Sequence, residues 1–435
     1  MSGRERRAIL TLLLSFGFSF FPIPARAETL TLSECIRRAR RMAPDAVAAL
    51  AASQRAESAY KEAFGKRLPH FYATGLLDQS NNESIQLLLV NQAMLGVRQN
   101  LSPFTPQWAL AKVLKKLAGA ALLDKEGASL DVALAVKNLY FAILLDRDTL
   151  ANFDRVRPRL GNVKDAAIPK YNIGRVPPFD LVKMDAAIYD LDRSKDLMRA
   201  DLAGQSEALA LLVGLSSGAG LKIAPLGAMP PAPSSASFAN NPTVAALTLK
   251  IKAAKSAVTA QVYERLPTLD ANILYGYEGY TFNLPFHYAY TASQAQPAYA
   301  AGYDGSLTMN LPLFYGGEIT ARIAQRRAGL DAAKASLEKE IQRLSAVWAR
   351  TVKLARTHER DHRRRQVFLT DAKIAADSSV ERYRRGAAGI LEVAEALNLW
   401  LGNLVTERVD YYSYLADIAQ LERASGRDIV DYEKK

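Results

Sequence analysis

Ala43-Pro44-Asp45 opens a helical stretch that closes at Arg67-Leu68-Pro69, and Asn241-Pro242-Thr243 opens another that closes at Arg265-Leu266-Pro267. Each pair of matching prolines is separated by 198 residues, and Ala48, Ala56, Ser58 and Ala59 recur as Ala246, Ala254, Ser256 and Ala257. Shared spacing with shared identities makes this an internal duplication, which decides the architecture before any single element is read. The echo continues along the chain. Asn100-Leu101-Ser102-Pro103-Phe104 is answered by Asn310-Leu311-Pro312-Leu313-Phe314 after 210 residues, and Tyr171-Asn172-Ile173-Gly174 by Tyr383-Arg384-Arg385-Gly386 after 212. Gly214 and Gly426 keep that last offset, and the growth falls mostly between Gly75 and Gln99, where the second copy has a longer excursion. Each copy reads helix, strand, loop, strand, long helix, turn, long helix. Residues 28–223 form the first copy and 242–435 the second, with the Pro/Ser/Ala-rich stretch 224–241 as the linker.

Alternation marks the strands, expected at about 68–78 and 90–104 in the first copy and 266–278 and 303–315 in the second. Leu269, Ala271, Ile273, Tyr275 and Tyr277 alternate with Asp270, Asn272 and Glu278, and Leu307, Met309, Leu311 and Leu313 with Asp304, Ser306, Thr308 and Asn310. One greasy and one polar face over such a length suits a transmembrane β-strand; a soluble two-sheet sandwich is the other home for the pattern. Between the strands, Tyr280, Phe282, Phe286, Tyr288, Tyr290 and Tyr299 suit an interfacial girdle or outer loop. After Gly316-Gly317 the period changes: Leu330, Leu337, Ile341, Leu344, Trp348 and Ala355 form a coiled-coil seam, and no proline follows Pro312. A helix of roughly 60 residues would run about 90 Å, too long for a compact domain, so it must pack along other helices.

The N-terminus carries an address. Arg4, Arg6 and Arg7 precede an apolar run from Ala8 to Phe21, Pro22 and Pro24 break it, and Ala25-Arg26-Ala27 suits signal-peptidase cleavage. Residues 1–27 therefore read as a signal peptide, since the run is shorter than the ~20 residues a membrane anchor needs. Cys35, the only cysteine, leaves no internal disulfide, and it lies too far past the apolar run to be a lipidation site. The formal charge of +12 invites a nucleic-acid reading. The exported compartment argues against nucleic acid, and the spread of charge over both halves suits solvated helix faces and contact with outer membrane lipid. No later segment has 18 consecutive apolar residues, so a membrane-entering chain would do so as a closed barrel. Four strands cannot close one, because about eight is the smallest useful number; the chain must oligomerise to remove its sheet edges.

Leu30-Thr31-Leu32-Ser33-Glu34-Cys35-Ile36, the helix-opening prolines, the Leu-Pro strand starts, Asn310-Leu311-Pro312-Leu313-Phe314-Tyr315-Gly316-Gly317 and the Tyr-x-x-Gly turns resemble the TolC family of outer membrane factors over essentially the whole chain after residue 27. The resemblance implies an α+β membrane protein: a homotrimer whose 12-stranded outer membrane β-barrel, four strands per chain, continues as a periplasmic α-helical coiled-coil barrel. It implies a passive export duct in the outer membrane of a Gram-negative bacterium, serving efflux or type I secretion. Its partners would be a periplasmic membrane-fusion adaptor and an inner membrane transporter of RND, ABC or MFS type. No cofactor or metal is expected. The adaptor-docking tips would be Gly174, Arg175, Val176 and Pro177 in the first hairpin and Gly386, Ala387 and Ala388 in the second. By the same match, Glu392 and Glu395 are the constricting carboxylates, and Asp180 and Tyr383 join the hydrogen-bond network that shuts the entrance. The family's arginine two residues after the turn glycine is here Ala388, leaving Lys183, Arg384 and Arg385 as substitutes. Pro177-Pro178 should stiffen the first tip.

Two motifs tempt towards chemistry. His358-Glu359-Arg360-Asp361-His362 fits the zincin pattern, but a catalytic zinc needs a third ligand and a walled cleft. Glu381, the available candidate, lies about 29 Å away on a straight helix. Gly214-Leu215-Ser216-Ser217-Gly218 fits a nucleophile elbow, yet it follows a helix rather than a strand and reads as a glycine stop. The alternatives to a duct are a non-channel periplasmic coiled-coil scaffold and, last, a zinc metalloprotease.

Overall fold

The computed structural model describes residues 29–435 apart from 83–84, 103–104, 217–220, 228, 234–236, 284–297, 428–431 and 433–435. The expected signal peptide (residues 1–27) and most of the aromatic excursion between the last two strands lie outside the described residues. In chain order the elements are β1 (Thr29–Leu30), α1 (Leu32–Met42), α2 (Pro44–Gly65), β2 (His70–Asn82), β3 (Ile85–Asn100), α3 (Pro106–Asn172) and α4 (Pro178–Leu212). Then follow β4 (Lys222–Ile223), α5 (Pro242–Tyr263), β5 (Thr268–Asn283), β6 (Ala298–Asn310), α6 (Glu318–Arg384) and α7 (Ile390–Ser425).

β2, β3, β5 and β6 form one antiparallel sheet in the order β2-β3-β5-β6, leaving β2 and β6 as open edges. The register carries Phe71 to Val97, Val97 to Ile273 and Ile273 to Gly305, and carries Ala73 to Leu95, Leu95 to Tyr275 and Tyr275 to Tyr303. One face is therefore continuously apolar, and it is bare: Phe71 is 80% exposed and Tyr303 85%. The opposite face is polar, with Tyr72 Oη donating to Asn272 Oδ1 at 2.7 Å across Gly96. Gly96 and Gly276 both lie on this polar face. A Cβ on Gly96 would stand 2.5 Å from the Tyr72 ring, and one on Gly276 2.2 Å from the Ala93 carbonyl. Such crowding arises on the concave side of a curled sheet, so the greasy face is the convex one.

The strands depart from their sequence expectation at both ends. They begin at His70 and Thr268, just after Pro69 and Pro267, and end at Asn100 and Asn310 rather than at residues 104 and 315. Asn100 Oδ1 accepts the Ser102 N–H at 3.0 Å and turns the chain out of the ladder. In the second copy Pro312 removes a donor. The ladders also run past the alternating stretch, reaching Leu87 opposite Asn283, because main-chain pairing does not require a regular side-chain pattern.

α3 and α6 each span 67 residues, about 100 Å. Thr105 caps α3, accepting the Trp108 N–H at 3.2 Å. Below the sheet the helices form a row α2–α3–α5–α6, and farther away a row α4–α3–α7–α6. α3 includes an 18-residue window of mean hydropathy 1.6, long and apolar enough to cross a membrane by composition alone. Here it is the helix around which α1, α2, α4, α5 and α7 pack. Where the two rows meet, Tyr140, Phe141, Ile143, Leu415, Ile418 and Leu421 form a core with Cys35 and the two-residue parallel ladder β1–β4. The linker is tied to this core by tyrosines: Tyr140 Oη donates to the Ala224 carbonyl (2.6 Å), Tyr411 Oη to that of Gly227 (3.0 Å), and Tyr414 Oη to that of Pro230. A buried Lys137–Glu422 pair at 2.7 Å, joined by Tyr432 Oη at 2.8 Å, lies beside it. A second core, from Phe153 and Leu160 to Met184, Tyr383, Leu397 and Trp400, fills the row towards the hairpin tips.

Candidate functional site at the hairpin tips

Both hairpins turn by the same device. Gly174 at φ +75° donates to the Tyr171 carbonyl (2.8 Å) and Arg175 N to that of Lys170 (2.9 Å). Gly386 at φ +76° donates to the Tyr383 carbonyl (3.0 Å) and Ala387 N to that of Arg382 (2.8 Å). A left-handed glycine followed by a bond back over the last turn is a Schellman stop, and a Cβ would be strained there. After the first turn Val176 buries its side chain and Pro177 and Pro178 start α4. After the second, Ala388 packs against the tip core and Gly389 precedes α7.

Tyr383 is 3% exposed, and its hydroxyl is buried without a hydrogen-bond partner. Burial first, and the negative charge of Asp180 second, push its acidity constant above the ordinary tyrosine value. Asp180 is thus close enough to be felt, but no hydrogen bond joins the two within one chain. This departs from the expected closing network, because in one protomer the cation that reaches Tyr383 comes from elsewhere. Lys170, on α3, donates to the Tyr383 carbonyl at 2.7 Å and sits 4.0 Å over its ring, linking the first hairpin to the second. None of the expected substitutes for the missing arginine plays this part: Lys183 covers the Phe179 ring at 4.6 Å, and Arg384 and Arg385 pair with Glu381 at 3.9 and 3.0 Å. Sequence reasoning passed over Lys170. The signal that could have found it is the duplication, for Lys170 is the counterpart of Arg382, 212 residues on.

Glu392 and Glu395 lie one turn apart on α7, both exposed. They are not equivalent. Arg382 Nη1 donates to Glu392 Oε1 at 2.7 Å and Nη2 to the Ala387 carbonyl at 3.3 Å, so Glu392 is neutralised by its own hairpin. Glu395 has no ion pair among the described residues.

The tempting motifs are absorbed by packing. His358 Nδ1 meets Asp417 Oδ2 at 2.9 Å, while His362, buried, meets Glu407 Oε1 at 3.3 Å through Nδ1 and Gln366 Nε2 at 3.1 Å through Nε2. Each imidazole binds α6 to α7 or closes on its own helix. Among the described residues no three His, Cys, Asp or Glu side chains are grouped to hold a metal. Gly214, at φ +76°, ends α4 with Leu215 N donating to the Ala210 carbonyl at 2.9 Å; residues 217–218 of that motif lie outside the described residues.

Residues 234–427, nearly the whole second copy, match the profile of the outer membrane efflux protein family. The match covers a little under half of the chain. The fold agrees across both copies: the Campylobacter jejuni CmeC outer membrane channel superposes with a TM-score of 0.80 at 16% identity, covering 92% of this chain and 87% of that one. The Vibrio cholerae outer membrane protein VceC gives 0.76 at 16%, covering 91% and 96%. The open state of the Neisseria gonorrhoeae MtrE outer membrane channel gives 0.74 at 15%, covering 93% and 91%. No curated protein matches the chain significantly. The profile falls on the second copy, and the first repeats its order of elements.

Proposed function

We propose that this protein is an outer membrane efflux protein, the channel of a tripartite efflux or type I secretion assembly: a passive duct, closed by three copies of the chain, that receives cargo from a periplasmic adaptor and an inner membrane transporter. The observation that carries the reading is that every layer ends in an open edge. The sheet has edges β2 and β6, the upper helical row α2 and α6, the lower row α4 and α6. Each layer offers an edge from the first copy on one side and one from the second copy on the other, so a single rotation can close all three. The lower edges carry exposed apolar side chains: Phe179, Val182 and Tyr189 on α4, and Val367, Phe368 and Ile374 on α6. Three chains supply twelve strands, enough for a barrel with its apolar face to lipid and a lumen lined by the polar face.

The tips then face the periplasm, with Gly174, Arg175, Val176, Pro177, Gly386, Ala387 and Ala388 as the adaptor contact. A groove between α3 and α6 supports docking of a helical partner; it opens to about 310 Å³ beside Arg159, Asp377 and Tyr383. Glu395 forms the bare carboxylate ring of the constriction, and Glu392 contributes only when Arg382 lets go. Negative-stain electron microscopy of detergent-extracted protein should give hollow three-fold cylinders with a long stem; compact monomers would sink the reading. In planar bilayers, a Glu392→Ala/Glu395→Ala double variant should conduct more and lose block by divalent cations. Glu395→Ala alone should account for most of that loss, and an unchanged block would remove both residues from the constriction.

A further inference from the structure

Arg67 and Arg265 hold the same position in the two copies, each two residues before the proline that leads into a strand. Their neighbours Lys66 and Arg322 are paired, with Glu62 and Glu264, yet neither Arg67 nor Arg265 has a salt bridge among the described residues. Arg265 gives Nη2 to Thr320 Oγ1 at 3.1 Å. Arg67 is more conspicuous. Its guanidinium lies 3.5 Å from the Trp108 ring centroid and 5.1 Å from that of Phe64, with a buried Nε that has no hydrogen-bond partner. Its carbonyl accepts Gln99 Nε2 at 3.0 Å, and Gln99 pairs with Ala271 on the apolar face of the sheet. The Arg67 backbone therefore stands where that face ends, the end of the sheet at which Leu68, Phe71 and Leu101 are exposed.

A stacked guanidinium keeps its planar fork of donors free for an anion, and a phosphate diester matches that fork in shape and charge. The surroundings select the kind of phosphate. One side is apolar sheet, the other the water-exposed collar of helices, and Trp108 is of the type that settles at a lipid headgroup boundary. We propose that Arg67, stacked on Trp108 and Phe64, binds the headgroup phosphate of a phospholipid in the leaflet that faces the helical end, with Arg265 as the weaker counterpart one repeat on. Through the lipid, this contact would fix how deep the sheet sits. The inference rests on the membrane-spanning reading of the sheet.

The test is native mass spectrometry of the detergent-purified protein titrated with phosphatidylglycerol, with diacylglycerol as the headgroup-free control. Arg67→Gln should lower retained phosphatidylglycerol about tenfold and leave diacylglycerol unchanged, while Arg67→Lys should fall between, keeping charge but losing the fork. Equal retention by wild type and Arg67→Gln overturns the proposal. So does a parallel loss of diacylglycerol, which would mark a merely apolar belt, and so does dissociation of the oligomer with lipid per chain unchanged, which would mark a subunit contact. Insertion of the wild type into vesicles, measured on the same preparation, reads the membrane assignment separately. A protein that inserts but binds phosphatidylglycerol independently of Arg67 refutes this site alone; one that does not insert refutes the channel reading.

Discussion

The two hairpins occupy equivalent places and spend the same positions differently. Before each turn stands a cation, Lys170 or Arg382, and after it an acid, Asp180 or Glu392, each 212 residues from its counterpart. In the second hairpin the cation closes on its own acid across the turn, Arg382 to Glu392 at 2.7 Å. In the first, Lys170 turns away from Asp180 and takes the carbonyl of Tyr383 in the other hairpin. Higher up, Asp146 and Gln205 of the first hairpin correspond to His358 and Asp417 of the second. There the first copy sets an amide against a buried carboxylate, and the second an imidazole against one. Duplication fixes where a contact between helices must fall; the side chains then decide whether it holds a hairpin together, joins it to the next, or titrates.

The comparison can be broken or sharpened by substitution. The largest effect is expected where both hairpins share one core. Leu397 is fully buried with residues of α3, α4 and α6, so Leu397→Ala should cost about 2–5 kcal/mol and loosen both hairpins together in hydrogen exchange. Protection lost in only one hairpin would mean that the two tips are independent.

The next effect is a pH response that is larger in the first hairpin than in the second. Asp146 is buried, and burial, then the charge of Asp201, raise its acidity constant from the ordinary 3.8 to about 6, against a lowering bond from Gln205. A raised carboxyl favours the native state while protonated, so its stabilisation is complete below pH 3.8 and is lost as pH rises through about 6. Asp146→Asn should therefore stabilise the protein at pH 8, by up to about 3 kcal/mol from the size of the shift, and make no difference near pH 3. In the second hairpin burial also raises Asp417, but the bond to His358 opposes it, so Asp417→Asn should stabilise at pH 8 by less than Asp146→Asn does. Thermal melts of the two variants across that range read both gains directly; an equal gain in both would erase the distinction.

The smallest effect separates the two tip cations. Lys170→Met removes a bond between hairpins, worth about 1.5–3 kcal/mol for a charged donor, and should raise the resting conductance. Arg382→Met removes an exposed pair worth about 0–1 kcal/mol and should change it less. Bilayer recordings with the reverse order would place the closing contact in the second hairpin.

Much of this was legible beforehand, and unevenly. The prolines, turn glycines and alternating stretches act through local backbone geometry, so their positions could be read and their duplication aligned. The greasy face of the sheet followed from period alone, because successive strand residues point to opposite sides. Strand ends were misplaced where a side chain, Asn100, captured a main-chain donor, an event no periodicity signals. At the tip, position was predictable but partnership was not. Glu392 and Glu395 look alike in sequence, and only the fold brings Arg382 to one of them. The duplication could set Lys170 opposite Arg382 but could not name its partner, a backbone carbonyl 213 residues away.

The sequence by itself determined a duplicated chain of two strand pairs and two long hairpins, turned at Gly174 and Gly386, with one lipid-compatible face. These rest on φ preference, missing donors and periodicity, all properties of a few neighbouring residues. Tertiary structure alone decided that the polar face is concave, that every layer keeps two open edges, that His358 and His362 serve the α6–α7 seam, and that one carboxylate at the tip is bare. Those depend on which distant groups come within about 3 Å of each other, where hydrogen bonds and ion pairs form, and no local pattern encodes that distance.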